Sequence, residues 1–335
     1  MGCRETTFLV IYTFHPMSKI SKRLYNSTIA AFPKAGKTVW WLLKIILPIS
    51  LAVSLLQYWG IIAQMATVLA PVFSLIGLPG ESAIVFISSI FLTLYAPIAI
   101  IATLPLDIRE ITILALMCLI SHNMFVETAI QKKTGSSAVV MFSLRLCASF
   151  ISAYILNLLL PEQLGSGQAI KEQVVSANIG NMLTIWLISA GWLILKISLI
   201  VTGLMILQNI MKDFKILNLI SKVIAPFMSV LGLSKDSSFL WFVAQMLGLT
   251  YGSAVMIEAV GQKEITPANA NLLNYHIAMN HSLLEDTLLF VAIGVPAGWI
   301  IAPRFALAII VVWSVRLIIR LKNREKARII KPSLE

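Results

Sequence analysis

Two short stretches carry the groups that could do chemistry. One reads Ser121-His122-Asn123-Met124-Phe125-Val126-Glu127-Thr128, the other Asn280-His281-Ser282-Leu283-Leu284-Glu285-Asp286-Thr287. In each, a carboxylate follows the histidine by five residues and a threonine by six. A glycine and an arginine stand 13 and 23 residues beyond it: Gly135 and Arg145, then Gly294 and Arg304. Histidine titrates near neutrality and ligates metals. A neighbouring carboxylate can share its proton, and a guanidinium can neutralise the carboxylate through paired hydrogen bonds. Both stretches lie in long apolar runs, where ionisable groups are costly and usually functional.

These groups need helices to hold them. The spacing puts Asn271, Asn274, Ala278, His281, Ser282 and Glu285 on one face of a helix. That stripe must face a packed neighbour or a wet cavity rather than lipid. The first copy is more apolar, with Thr112, Ala115, Leu119, His122 and Val126 on the matching face, so the second half is expected to supply more contacts. Breaks are expected in two further segments, at Tyr95-Ala96-Pro97 and at the glycine-rich Gly248-Leu249-Thr250-Tyr251-Gly252-Ser253. Interrupted helices free backbone groups that can bind solute.

The solute-binding set read this way is His122, Asn123, Glu127, Thr250, Tyr251, Ser253, Asn274, His281, Ser282, Glu285 and Asp286, with Arg145 pairing Glu127 and Arg304 pairing Asp286. The plainer alternative is that these groups only tie helices together. Lys44, near the start of its segment, and Lys196, farther into its own, can snorkel to the surface. Metal ligation by the histidines and carboxylates stays open, but no cysteine cluster or close His pair supports it. No nucleophile–base constellation stands out, so neither an enzyme nor a cofactor is expected.

The chain is 58% hydrophobic and 12% charged, about half the charge of a soluble domain, and its mean hydropathy is +0.88. Apolar runs near 20 residues recur, the length that spans a hydrocarbon core. The class is therefore an all-α polytopic membrane protein. The net charge of +11 concentrates at the ends, with six Lys/Arg before residue 38 and seven from Arg316 to Lys331. Basic flanks mark the cytoplasmic side, so both termini are expected there and nucleic-acid binding is not. Ala31 to Thr38 imitates a phosphate-binding loop, but a tryptophan-marked span follows it instead of a strand–loop–helix unit.

Ten hydrophobic segments follow residues 1–37, which form a cytoplasmic or interfacial stretch: 38–59, 61–78, 82–103, 110–131, 137–160, 182–211, 216–233, 238–260, 269–293 and 297–319. A polar linker, 161–181, divides them five and five, and a basic tail occupies 320–335. The halves match beyond the histidines. Leu69-Ala70-Pro71 with Ser74, Gly77 and Leu78 recurs as Ile224-Ala225-Pro226 with Ser229, Gly232 and Leu233; Glu110-Ile111-Thr112 recurs as Glu264-Ile265-Thr266. Five crossings per repeat would invert the second half relative to the first, an architecture common in transporters. Segments 61–78 and 216–233 carry Pro71 and Pro226 and could instead be re-entrant.

The duplicated I/L-A-P-x-x-S-x-x-G-L segment, the tyrosine-containing break and the N/S-H-x-x-x-x-E/D-T helix together resemble the nucleoside-recognition (Gate) domain. That domain occurs in bacterial spore maturation membrane proteins and in the membrane part of ferrous-iron transport protein B. It is distantly similar to concentrative nucleoside transporters. The resemblance covers residues 40–160 and 185–318; no GTPase domain of the iron transporter accompanies it. It implies a prokaryotic inner-membrane permease for a small polar solute, nucleoside-like or anionic, with its site between the repeats. A divalent-metal path and a non-transporting scaffold are the alternatives. The expected partners are the lipid bilayer, the solute or ion, and further copies of the chain in a homo-oligomer.

Overall fold

The computed structural model describes residues 19–164 and 178–330, side chains excepted at 247, 249–251, 253, 254 and 325–330. The first half runs α1 (Lys19–Tyr58), α2 (Ile61–Ser74), α3 (Ser82–Phe91), α4 (Tyr95–Ile101), α5 (Ile108–Ser121), α6 (Met124–Lys133) and α7 (Ala138–Leu159). The second runs α8 (Ile179–Asp213), α9 (Ile216–Ile224) with a 3-10 turn (Ala225–Ser229), α10 (Ser238–Gly261), α11 (Pro267–Met279), α12 (Leu283–Val291) and α13 (Ala297–Ile330). No strand occurs among the described residues.

Five stretches are long and apolar enough to cross a bilayer: Lys19–Tyr58, Ile108–Lys133, Ala138–Leu159, Ile179–Asp213 and Ala297–Arg324. The other hydrophobic segments are short or interrupted. Segment 82–103 divides into α3 and α4, segment 269–293 into α11 and α12, and α10 is kinked at Gly248. The span expected from Thr38 is continuous with the basic stretch before it, so α1 is one helix of 40 residues, about 60 Å long at 1.5 Å per residue. Pro33 and Pro48 lie within it, and Ala31 to Thr38 is helix rather than a phosphate-binding loop.

Helices α1 and α8 pack together and run antiparallel. Near the start of α1, Ser27 donates to the Asp213 carboxylate and Arg23 to the Asp213 carbonyl. Lys34 donates to Asn209 Oδ1 at 3.3 Å, again at the end of α8. Towards the other end of α1, Ser50 Oγ accepts from Trp186 Nε1 at 3.1 Å, near the start of α8. The outward side of α8 exposes Leu187, Trp192 and Leu199, the apolar surface that acyl chains solvate. The interior is organised round α5, where every residue from Ile111 to Ser121 is buried. A reciprocal cap starts it: Glu110 N–H donates to Asp107 Oδ1 and Asp107 N–H to Glu110 Oε2. Helices α3, α7 and α13 pack against it.

The repeated Gly-Leu has a physical origin. Gly77 (φ 73°) and Gly232 (φ 72°) are left-handed helix ends. In each, the following leucine N–H reaches back five residues, Leu78 to the Phe73 carbonyl and Leu233 to that of Met228. This C-terminal cap satisfies carbonyls the helix leaves orphaned and favours glycine. Gly135 and Gly294 close α6 and α12 with the same bonding pattern, Ser136 to Gln131 and Val295 to Phe290.

Gly77→Ala tests that cap. A Cβ there would lie 2.0 Å from Asn157 Oδ1, which also accepts from Arg109 at 2.7 Å. Strain and overpacking together should cost about 2 kcal/mol or more. Gly191→Ala, inside α8 with nothing within 4 Å, should cost nothing and stabilise by up to about 1 kcal/mol. Thermal unfolding of both variants in detergent checks the contrast.

Candidate functional site

Both histidine motifs break their helices. Helix α5 ends at Ser121; His122 is extended (φ −64°, ψ 154°), Asn123 is left-handed (φ 47°, ψ 35°), and α6 begins at Met124. Helix α11 ends at Met279; Asn280 is extended, Ser282 is left-handed (φ 47°, ψ 40°), and α12 begins at Leu283. A positive φ strains any residue with a Cβ, and such strain gathers at functional sites. The freed N–H groups are satisfied by the other broken segment of the same half. Asn123 N–H donates to Ser89 O and Leu92 O, where α3 ends; Ser282 N–H donates to Ala244 O, just before the Gly248 kink. The expected breaks after α3 and at Gly248 (φ 73°, ψ 173°) are thus present and cross the histidine breaks.

The breaks bring His122 and His281 face to face, with ring centroids 5.0 Å apart. Each ring is anchored alike: Nδ1 of His122 lies 3.1 Å from Cys118 O, and Nδ1 of His281 lies 2.7 Å from Ile277 O. A carbonyl only accepts, so Nδ1 carries the proton in both rings. Each Nε2 then turns to the same point. Glu127 Oε1 lies 3.2 Å from His122 Nε2 and 3.3 Å from His281 Nε2. Asp286 Oδ2, 3.7 Å from His122 Nε2, has no hydrogen-bond partner among the described residues. His122, Glu127, His281 and Asp286 are all buried, the most exposed at 7%. Neutral Nε2 lone pairs facing a carboxylate oxygen repel it. A proton or a cation between the members would remove that repulsion.

Two fully buried arginines brace it. Arg145 Nη1 meets Glu127 Oε2 at 2.8 Å, while its other nitrogens donate to Ile120 O and His122 O at 2.7 Å, closing the break at the end of α5. Arg304 departs from expectation. It donates to Thr287 Oγ1 at 2.8 Å, Ile300 O and His281 O, and acts on the Asp286 charge from nearby without touching it. Asp286 sits one residue before that threonine and leans across to the first half's histidine instead.

Residues 39–159 match the Gate family, described as nucleoside recognition. The chain is also 31% identical over 298 residues to YvoD, an uncharacterized membrane protein of Bacillus subtilis strain 168; the alignment covers 88% of this chain and 94% of YvoD. The protein belongs to the Gate family of membrane proteins. No solved structure matches it.

The Gate geometry sorts the remaining sequence-predicted residues. Glu285 joins the centre, accepting from Tyr95 Oη at 2.9 Å and so tying α12 to the α3–α4 break. The Gly248 backbone (φ 73°, ψ 173°) strains any residue but glycine, and a Cβ there would also stand 3.0 Å from Ser282 Oγ. Asn123 acts through its backbone at the break. Asn274 does not reach the histidines: its amide donates to Thr134 Oγ1 and Ser136 Oγ, both at 2.9 Å, in a clamp of α11 onto the α6–α7 turn. The helical stripe placing it beside His281 fails because the helix is broken at Asn280–Ser282. The side chains of Thr250, Tyr251 and Ser253 lie outside the described residues.

Sequence reasoning missed a second polar layer in the same half. Trp241 Nε1 donates to His276 Nδ1 at 3.2 Å, and Gln245 Nε2 donates to Asn280 O at 2.6 Å. Gln245 and His276 stand out as polar residues inside apolar segments, which was the available signal.

Breaking the brace should be costly. Arg145→Ala leaves Glu127 as an uncompensated buried charge and should lose about 3–5 kcal/mol. Arg145→Ala with Glu127→Gln should recover part of that loss. A double-mutant cycle of chemical denaturation in micelles measures the coupling.

Proposed function

We propose that this Gate-family protein is a membrane permease that passes a small polar solute or ion through the junction of its two halves. The single observation that carries this is the meeting of His122 and His281, at two helix breaks, on one shared carboxylate. Buried ionisable groups at interrupted helices are what solute pathways require and what a lipid-facing scaffold avoids.

The architecture that fits is two five-segment repeats of opposite orientation. Helices α1 and α8 open the two repeats and pack antiparallel, which supports inversion. The histidine breaks, the paired glycine caps and the braced arginines recur at matching places in both halves. Opposite orientation lets one break open to each side of the membrane while the site stays at the junction, the geometry of alternating access. The basic ends support a cytoplasmic side for both termini in a prokaryotic inner membrane.

Reconstitution into proteoliposomes tests the reading. A panel of labelled nucleosides, small organic anions and divalent cations should contain at least one substrate. His281→Gln should cut its uptake at least tenfold with little change in melting temperature. Asn274→Ala should lower the melting temperature, since it unties the α6–α7 clamp, and leave uptake per folded protein near wild type. Flux without change in His281→Gln would contradict the assignment.

A further inference from the structure

We infer that His122 Nε2, His281 Nε2 and Glu127 Oε1, with Asp286 Oδ2 as fourth donor, form a binding site for a divalent first-row transition-metal ion of the zinc class. The inference rests on the permease reading in one respect, since it names the cargo of the same site.

The donor geometry is the first argument. An ion bonded at about 2.0–2.1 Å to nitrogen and oxygen in a tetrahedral array needs its ligand atoms roughly 3.3–3.4 Å apart. Here Glu127 Oε1 stands 3.2 and 3.3 Å from the two imidazole nitrogens, and Asp286 Oδ2 stands 3.7 Å from His122 Nε2. The three donors of His122, Glu127 and His281 lie within 4.8 Å of one another. A point among these three can therefore be reached by each of them with small side-chain adjustments, while Asp286, outside that group, approaches from the His122 side.

The second argument is tautomeric. Both Nδ1 atoms are committed to a backbone carbonyl one helical turn back, Cys118 O and Ile277 O. That outer hydrogen bond is the one that metal-ligating histidines usually make; it fixes the ring and leaves Nε2 as a lone-pair donor. The arrangement arises independently in the two halves, and both lone pairs converge.

The third is the state of the carboxylates. Arg145 takes Glu127 Oε2 at 2.8 Å, which turns Oε1 towards the imidazoles. Asp286 Oδ2 is buried beside His122 with no hydrogen-bond partner among the described residues, although a buried carboxylate oxygen almost always has one. A cation supplies it. Two imidazoles and two carboxylates, with no thiolate, suit zinc or a neighbouring divalent ion rather than a soft monovalent one. Arg145 and Arg304 place positive charge close by. This weakens retention and suits a site that must release its ion.

Tag-free full-length protein in lipid nanodiscs provides the test, with Zn²⁺ and Co²⁺ as the probes. Chelator competition should give about one high-affinity Zn²⁺ per chain, and Co²⁺ should show the intense visible absorption of four-coordinate cobalt. His122→Gln, His281→Gln and Glu127→Gln should each weaken Zn²⁺ at least tenfold. His276→Gln, outside the cluster, should leave it unchanged. Because Glu127→Gln disturbs the Arg145 pair, the two histidine variants carry the decision, each checked for a wild-type elution profile. Absence of Zn²⁺ and Co²⁺ binding, or binding that survives His122→Gln/His281→Gln, overturns the site. Zinc bound at the cluster but not moved in proteoliposomes upholds the site and sinks the permease. An organic solute moved by a protein that binds neither metal does the reverse.

Discussion

Everything in this molecule depends on one carboxylate. Glu127 offers one oxygen to two histidines from opposite halves and the other to Arg145. In a lipid-embedded core an unpaired charge is expensive, and a pair formed with good geometry is hard to break. The Glu127 contacts therefore lock α6, α7 and the His281 break into one arrangement. They also orient the two rings, whose remaining ring nitrogens are held by the backbone.

A second constraint follows from the bilayer. Interrupting a helix frees N–H and C=O groups that lipid cannot satisfy. The two halves solve this in the same way, by crossing one broken segment with another. Asn123 N–H finds the carbonyls that end α3, and Ser282 N–H finds Ala244 O. Arg145 and Arg304 take up His122 O and His281 O. The arginines 23 residues beyond each histidine are thus as much backbone caps as charge partners. Polar groups could be gathered at depth because each break is closed by its own half.

Much of this was legible in the sequence, and the illegible part has physical causes. The duplicated histidine spacing, the Glu127–Arg145 pair, the Gly248 kink and the repeat of the Gly-Leu segment follow from residue type and offset alone. The helix breaks at Asn123 and Ser282 do not. Their segments keep an apolar period on both sides, and nothing forbids a continuous helix until the arginines and the crossing helices are present. That one omission put Asn274 on a stripe with His281, an assignment that assumes a helical register the breaks reset. The long α1 was also unreadable, because proline inside a membrane-length helix is tolerated where packing against a partner such as α8 holds the chain.

The most direct measurement is solid-state NMR of ¹⁵N,¹³C-histidine-labelled protein in lipid bilayers. The account predicts that His122 and His281 both carry Nδ1–H, and that their rings show a mutual cross-peak across the 5.0 Å between them. Either ring in the Nε2–H form with Nδ1 bare, or rings too far apart to correlate, would contradict it.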